Sequence, residues 1–406
     1  MSKRDIMLYL HVHQPHRLGR YTVFDTGNRH DYFETPDNDQ KVSNRAILDK
    51  VAEKSYLPMN RLLLELLTTH EDFKVSLSIT GTFLEQCELW RPDVLRSFQE
   101  LVATGKVDIV AETYHHSLAF FYSRFEFEKQ VIMHREKIRE LFGVEPKVFR
   151  NTEFSYNNEL GTWADEAGYK GILTEGWDPV LDWRSPNYVY QPQGSSRTRL
   201  LLKNYRLSDD IAFRFSNQSW AEYPLTKEKY SAWLEAPDEN ETLINLCMDY
   251  ETFGEHQWES SGIFDFMRDW VAHWLGSSEH RFVTATEAVT QHTPVGELDI
   301  PRTITWADTE RDLTAWLGNK MQQEALRLLY ELEDDVLRTS DETLIADWRN
   351  MQTSDHVYYM CTKWFNDGDV HAYFSPYDSP YDAFLYFMNA LRDIRWRILE
   401  HNKGVF

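Results

Sequence analysis

The chain is expected to be an α/β protein, with a parallel, barrel-type sheet followed by an α-helical unit. Three observations predict this. Short apolar runs rich in β-forming residues alternate with amphipathic helical stretches through most of the chain, and the pattern turns wholly helical after about residue 290. The length of 406 residues also suits one large barrel plus a smaller appended unit. The predicted regions are therefore 1–290 and 291–406.

The first apolar run, Ile6–Val12, leads into His11-Val-His-Gln-Pro-His16. Phe73–Ile79, Val107–Val110, Lys147–Phe149, Gly171–Leu173, Leu243–Met248 and Phe282–Thr284 follow as further strands. Between them Leu62, Leu63, Leu66 and Leu67 recur at helical spacing, as do Val94, Phe98 and Leu101, then Phe127, Val131 and Ile138. Such repetition implies right-handed crossovers and a mostly parallel sheet. The stretch 177–223 shows little helical pattern and polar clusters such as Trp183-Arg-Ser-Pro-Asn187, so it is expected to pass over the barrel mouth. Farther on, Leu313, Leu317, Leu326, Leu329, Leu332 and Val336 make one helical stripe, within which Gly318-Asn319 marks a break or a close approach. Phe384, Phe387, Leu391 and Ile394 make another.

Acidic residues number 65 against 43 basic ones, a net charge of −22 that argues against phosphate-rich partners and anionic membranes. A neutral substrate fits better, and no nucleic acid or membrane partner is expected. Cys87, Cys247 and Cys361 are far apart with no Cys-x-x-Cys pair, which suggests neither a disulfide framework nor a cysteine zinc site. The N-terminus lacks a signal-type apolar stretch, and a cytoplasmic location is expected. Aromatic residues make up 14% of the chain, a composition suited to covering sugar faces, although core packing accounts for most of them.

Two carboxylates close apolar runs: Glu153 in Val148-Phe-Arg-Asn-Thr-Glu153, and Asp249 in Leu246-Cys-Met-Asp249-Tyr-Glu-Thr-Phe-Gly-Glu-His256. In an α/β barrel, residues just past the strands' C-terminal ends point into the active-site mouth. With the His11–His16 segment, Glu112-Thr-Tyr-His-His-Ser117, Tyr205–Phe215 and Trp306–Asn319, these motifs resemble glycoside hydrolase family 57, α-amylase-type branch.

The resemblance implies an incomplete (β/α)7 barrel with a C-terminal α-helical bundle that completes the substrate cleft. It also implies a retaining glycosidase acting on α-1,4-linked glucans such as starch, glycogen or maltooligosaccharides, with Glu153 as nucleophile and Asp249 as general acid/base. One departure is Arg150, where many relatives carry Trp three residues before the catalytic Glu; the Asn-Thr-Glu form is amylase-like. Competing functions are 4-α-glucanotransferase, which shares the same intermediate, a non-catalytic glucan-binding homologue, and a zinc-dependent deacetylase. The oligomeric state is not legible.

In extended chain Asp249 and Glu251 share a face, so Glu251 is expected to help hold a proton on Asp249. Arg150 and Asn151 carry donors suited to an ionised Glu153. His11, His13 and His116 are assigned to hydrogen bonding of sugar hydroxyls; the alternatives are zinc ligands or buried histidines satisfied by carboxylates. Glu251 and His256 are further substrate-binding candidates. Asp308 is either a cleft residue or, with Thr309 and Asp312, part of a helix start. No metal and no cofactor is expected.

Overall fold

The structure, a computed structural model, describes residues 4–36, 39, 41–195, 197–363 and 374–403. Among them ten strands occur: β1 (Arg4–Val12), β2 (Val75–Ile79), β3 (Val107–Ile109), β4 (Val148–Arg150), β5 (Gly171–Glu175), β6 (Val189–Pro192), β7 (Arg199–Lys203), β8 (Leu243–Asp249), β9 (His280–Val283) and β10 (Glu297–Leu298). Seven of these, in the order β1-β2-β3-β4-β5-β7-β8, run parallel around a ring that β8 closes on β1. Two seams are thin. β3 meets β4 through the Ala111–Phe149 bridge, and β7 meets β8 at Lys203 and Asn245. The result is a nearly closed (β/α)7 barrel.

The ring differs from the expected strands at one place. Phe282–Thr284, predicted as a strand, is β9, which lies beside the first half of β1 below the point where β2 joins. The remaining ring strand is β7, inside the stretch expected to pass over the mouth. Its Leu200-Leu-Leu202 core is buried on both faces. A run that short has no alternation to read, which is why it escaped the sequence pattern.

Alternation along β1 separates two cores. Met7 and Tyr9 face inward to meet Val110, Leu173, Leu201 and Cys247 inside the barrel. Ile6, Leu8, Leu10 and Val12 face outward against Leu62, Leu63 and Leu66 of the helix Leu57–Thr69 and Phe98 of the helix Pro92–Ala103. A third apolar cluster joins the outer faces of β4, β5 and β7, through Phe149, Ile172 and Leu200, to Leu326, Leu329, Trp348, Phe387 and Ile394 of the C-terminal helices. Burying each such side chain contributes roughly 1.5–3 kcal/mol, so the helical region is bound to the barrel by its core.

The C-terminal helices include Lys320–Glu331, Glu333–Thr339, Glu342–Asn350 and Pro380–Lys403. The stripe that begins at Leu313 is broken where predicted. A short helix ends at Gly318, and Asn319 caps the next through a reciprocal pair with Gln322. Buried polar contacts tie this region to the barrel helix Arg124–Phe142: Arg349 donates to Glu126 (2.9 Å), and Gln130 donates to Gln352 (2.8 Å). An antiparallel bridge between Ser117 and Thr353 brings residues 354 and 355 to the barrel mouth.

Candidate active site

The C-terminal ends of the strands open into a cleft of about 510 Å³, and all eight predicted site residues line it: Glu153, Asp249, His11, His13, His116, Glu251, His256 and Asp308. Four of the seven non-glycine residues with positive φ among the described residues (His116, Glu153, Asp308 and Arg311) also lie on its wall. Such conformations cost energy and persist only where surrounding contacts hold them.

Glu153 lies three residues past β4, with φ 58°, and Phe154 follows with φ 55°. The turn is fixed by the Phe154 N–H donating to Asn151 O (3.0 Å) and the Trp306 N–H donating to Glu153 O (3.2 Å). It aims the carboxylate at three donors from separate parts of the chain. His116 Nε2 (3.0 Å) and Ser354 Oγ (3.1 Å) donate to Oε1, and Trp306 Nε1 (2.8 Å) donates to Oε2. Burial opposes ionisation, but the His116 hydrogen bond and the positive charges of His116 and Arg150 outweigh it, and the pKa of Glu153 is lowered. This carboxylate stays ionised.

Asp249 ends β8 and is the register partner of His11 on β1. Its side chain is 41% exposed to the cleft, yet its pKa is pushed up to about 6, first by desolvation and then by the charge of Glu153. The like charge acting on it is thus Glu153, not Glu251 as expected. The backbone turns into a 3-10 helix at Tyr250–Thr252, so the extended alternation assumed for residues 249 and 251 does not hold. Glu251 instead accepts a hydrogen bond from the Tyr56 hydroxyl, and burial followed by the Asp249 charge pushes its pKa up to about 8. It is a neutral acid near pH 7.

His13 and His116 have both ring nitrogens engaged by neighbouring groups, whereas His11 has only one. His11 places Nε2 3.3 Å from Glu112 Oε2 and Nδ1 4.0 Å from Asp249 Oδ1. His116 lies between two carboxylates, with Nε2 on Glu153 and Nδ1 3.5 Å from Glu112 Oε2; these outweigh its burial and raise its pKa to about 9. His13 lies between Thr80 Oγ1 (2.9 Å from Nδ1) and Asp355 Oδ2 (3.0 Å from Nε2). For His13 and His116 the geometry thus matches the alternative of histidines satisfied by neighbouring groups. His256 lies edge-on to Phe374 (5.6 Å), and burial depresses its pKa to about 4.

Of the two acid-flanking donors, Arg150 acts on Glu153 through charge. It is fully buried, its guanidinium 5.3 Å from the Phe154 ring and 5.2 Å from the Trp306 ring, so it does not reach the cleft. The aromatic wall is supplied by Trp306, stacked on Phe154 at 4.7 Å. Asn151 donates to Ser155 rather than to Glu153. Asp308, with φ 55°, faces the cleft and pairs with Lys363 (3.2 Å), whereas the helix-start role falls to Asp312, whose Oδ1 accepts from the Thr314 N–H.

Sequence analysis missed Ser354 and Asp355, which stand at a short helix with no motif or period to mark them. It also missed a charged group at the cleft floor. Lys203, the last residue of β7, lies 3.3 Å from Asp209, and Arg311 Nη1 donates to Glu175 (3.1 Å). Asp209 falls within the Tyr205–Phe215 motif and Arg311 within the Trp306–Asn319 motif, the two signals that pointed there.

Two groupings of ligand-type side chains occur among the described residues, His11–Glu112–His116 and His13–His116–Asp355, each with its ligand atoms within 4.8 Å of one another. Both depend on His116. With its pKa raised to about 9 it carries a proton on each ring nitrogen, which a metal would have to displace.

An α/β barrel whose strand ends hold one ionised carboxylate and one proton-retaining carboxyl in a single cleft has the equipment of a carbohydrate-cleaving enzyme. The chain belongs to glycosyl hydrolase family 57, whose model matches residues 7–301, and it is a glycoside hydrolase. Over 405 residues it is 44% identical to a Methanocaldococcus jannaschii protein provisionally named an alpha-amylase, covering 96% of this chain and 84% of that one. Two solved structures share the fold. The alpha-amylase AmyC of Thermotoga maritima superposes with TM-score 0.61 at 14% identity, covering 98% of this chain and 97% of that one. The branching enzyme of Thermococcus kodakaraensis superposes with TM-score 0.66 at 12% identity, covering 91% and 88%. Among the described residues no helix is long and apolar enough to cross a membrane.

Proposed function

We propose that the protein is a retaining α-amylase that cleaves α-1,4-glucosidic bonds in starch-like or glycogen-like polymers and maltooligosaccharides. The observation that carries this is the opposite displacement of two carboxyl groups in one cleft, with Glu153 held ionised and Asp249 pushed up to about 6. That division is what a nucleophile and a general acid require. Asp249 protonates the departing glycosidic oxygen while Glu153 attacks the anomeric carbon, giving a glycosyl-enzyme. The Asp249 carboxylate then takes a proton from water, which displaces Glu153 and restores both groups. The amylase names carried by the similar proteins support the choice of substrate. So does a net charge of −22, which favours a neutral polymer over a polyanion.

Residues 1–290 form the catalytic region, and residues 291–406 complete its cleft through Trp306, Ser354 and Asp355. The enzyme acts in the cytoplasm without a cofactor, a nucleic-acid partner or a membrane partner. A 4-α-glucanotransferase would use the same glycosyl-enzyme with a sugar hydroxyl in place of water. A product profile from maltoheptaose separates the two: net gain of reducing ends marks hydrolysis, and redistribution without gain marks transfer.

The test of the residue roles is Glu153→Gln and Asp249→Asn in folded protein. Loss of the general acid costs about 10²–10⁴-fold on natural substrate, and an activated leaving group that needs no proton recovers most of the first step for Asp249→Asn alone. Near-normal turnover in either variant overturns the assignment.

A further inference from the structure

We infer that Arg311 is the positioning residue for Trp306: it locks the loop 305–312 onto the floor of the barrel and so holds the indole N–H on Glu153. Resting on the reading of Glu153 as nucleophile, this gives a task to a charged cluster that the two-carboxylate mechanism does not use.

The chain reaches the mouth from the antiparallel Tyr156–Ile304 bridge and at once turns back on itself. The neck of the loop is closed by the Thr305 N–H donating to Arg311 O (2.9 Å) and by Thr305 Oγ1 donating to Asp312 O (2.8 Å). Within it Asp308 (φ 55°) and Arg311 (φ 50°) take left-handed conformations, which persist only where outside contacts support them. The Arg311 side chain is such a support. Its Nη1 donates to Trp306 O and to Glu175 Oε2 (3.1 Å), and its Nη2 lies 3.5 Å from Asp209 Oδ2. One planar group thus joins the start of the loop to the last residue of β5 and to the short helix Tyr205–Asp209 that follows β7.

The acids it meets draw the loop down. Glu175 is fully buried, with Lys203 at 3.9 Å and Arg311 at 3.1 Å as its cations, and a buried carboxylate that loses a partner is strongly disfavoured. Lys203 is a point charge, whereas a guanidinium fork can span acceptors on separate elements. At the other end of the bridge Trp306 is joined to Glu153 twice, by its backbone N–H (3.2 Å) and by Nε1 (2.8 Å), with its ring stacked on Phe154. A displacement of about 1 Å would take the Nε1 contact beyond hydrogen-bond range. The loop is therefore where a barrel-floor ion cluster reaches the nucleophile.

The test is a double-mutant cycle. Arg311→Ala, Trp306→Phe, the two combined, and Arg311→Lys are compared with wild type in kcat, KM and the pH profile of kcat/KM on an activated maltooligoside, with melting temperature as the folding control. Trp306→Phe keeps a ring but lacks the N–H; protonation of Glu153 becomes easier, and the acid limb should move to higher pH by up to about one unit. Arg311→Ala should move it the same way by a similar amount and lower kcat roughly 10- to 100-fold, with little change in KM. The combined variant should lie where either single variant leaves the limb. Arg311→Lys keeps the charge without the fork and should recover only a small part of the loss.

Limb shifts that add in the combined variant, or full recovery in Arg311→Lys, overturn the positioning role and leave Arg311 acting by charge alone. A loss confined to KM makes it a substrate contact instead, and an unmoved limb in Trp306→Phe removes the link to Glu153. If Arg311→Ala does not fold, Arg311→Lys and Trp306→Phe still decide the matter. Near-normal turnover in Glu153→Gln overturns the underlying reading, so the two failures are distinguishable.

Discussion

Replacing His116 by Gln tests the electrostatics of the site most directly. Gln can keep an N–H donor toward Glu153 while removing the positive charge that His116 carries with its pKa at about 9. A hydrogen bond from a charged donor is worth roughly 1.5–3 kcal/mol against about 0.5–1.5 for a neutral one. The substitution thus removes about 1–1.5 kcal/mol of preference for ionised Glu153, close to one pKa unit. The sign is fixed: losing a cation makes protonation of Glu153 easier, its pKa rises, and the acid limb of the kcat/KM profile moves to higher pH by about one unit. His116 also lowers the pKa of Asp249, behind Arg150 and Lys203. The basic limb, set near pH 6 by Asp249, should therefore move the same way by a fraction of a unit. The assay is kcat/KM from about pH 3 to 9 on an activated maltooligoside, with melting temperature as the folding control. Limbs that stay in place, or that move in opposite directions in a folded variant, would refute a charged His116.

Three other outcomes follow from the same geometry. Because the Glu251 carboxyl is pushed up to about 8 and accepts from Tyr56, it carries little charge near pH 6, so Glu251→Gln should leave the Asp249 limb within about 0.3 unit of wild type; a clear downward shift would restore Glu251 as the like charge. Dialysis against a strong chelator should leave turnover unchanged, since both candidate metal groupings need a deprotonated His116; loss of activity restored by zinc would establish a metal. Ser354→Ala removes one of three donors to Glu153 and should lower kcat by up to about tenfold with little change in melting temperature, as kinetics and thermal unfolding on one preparation would show.

The amino-acid sequence by itself determined the fold class, the family and the two catalytic candidates. Period-2 and period-3.6 patterns are local, and Asp249 ends its strand while Glu153 lies three residues past its own, close enough for the apolar runs to place both at strand ends. Strand β7 was illegible because Leu200-Leu-Leu202 is buried on both faces and has no period to show. The proton assignments needed the tertiary structure. Glu251 looked like a charged neighbour of Asp249 until the chain turned at Tyr250 and put its carboxyl under Tyr56. His13 looked like a sugar ligand until Thr80 and Asp355, from 67 and 342 residues away, took both its nitrogens. Acidity and hydrogen-bond capacity depend on whatever lies within a few ångströms of a group, and at the mouth of a barrel those neighbours come from every part of the chain. The sequence could name the acids and, through the resemblance, their roles, but only the fold could show what makes Asp249 keep its proton.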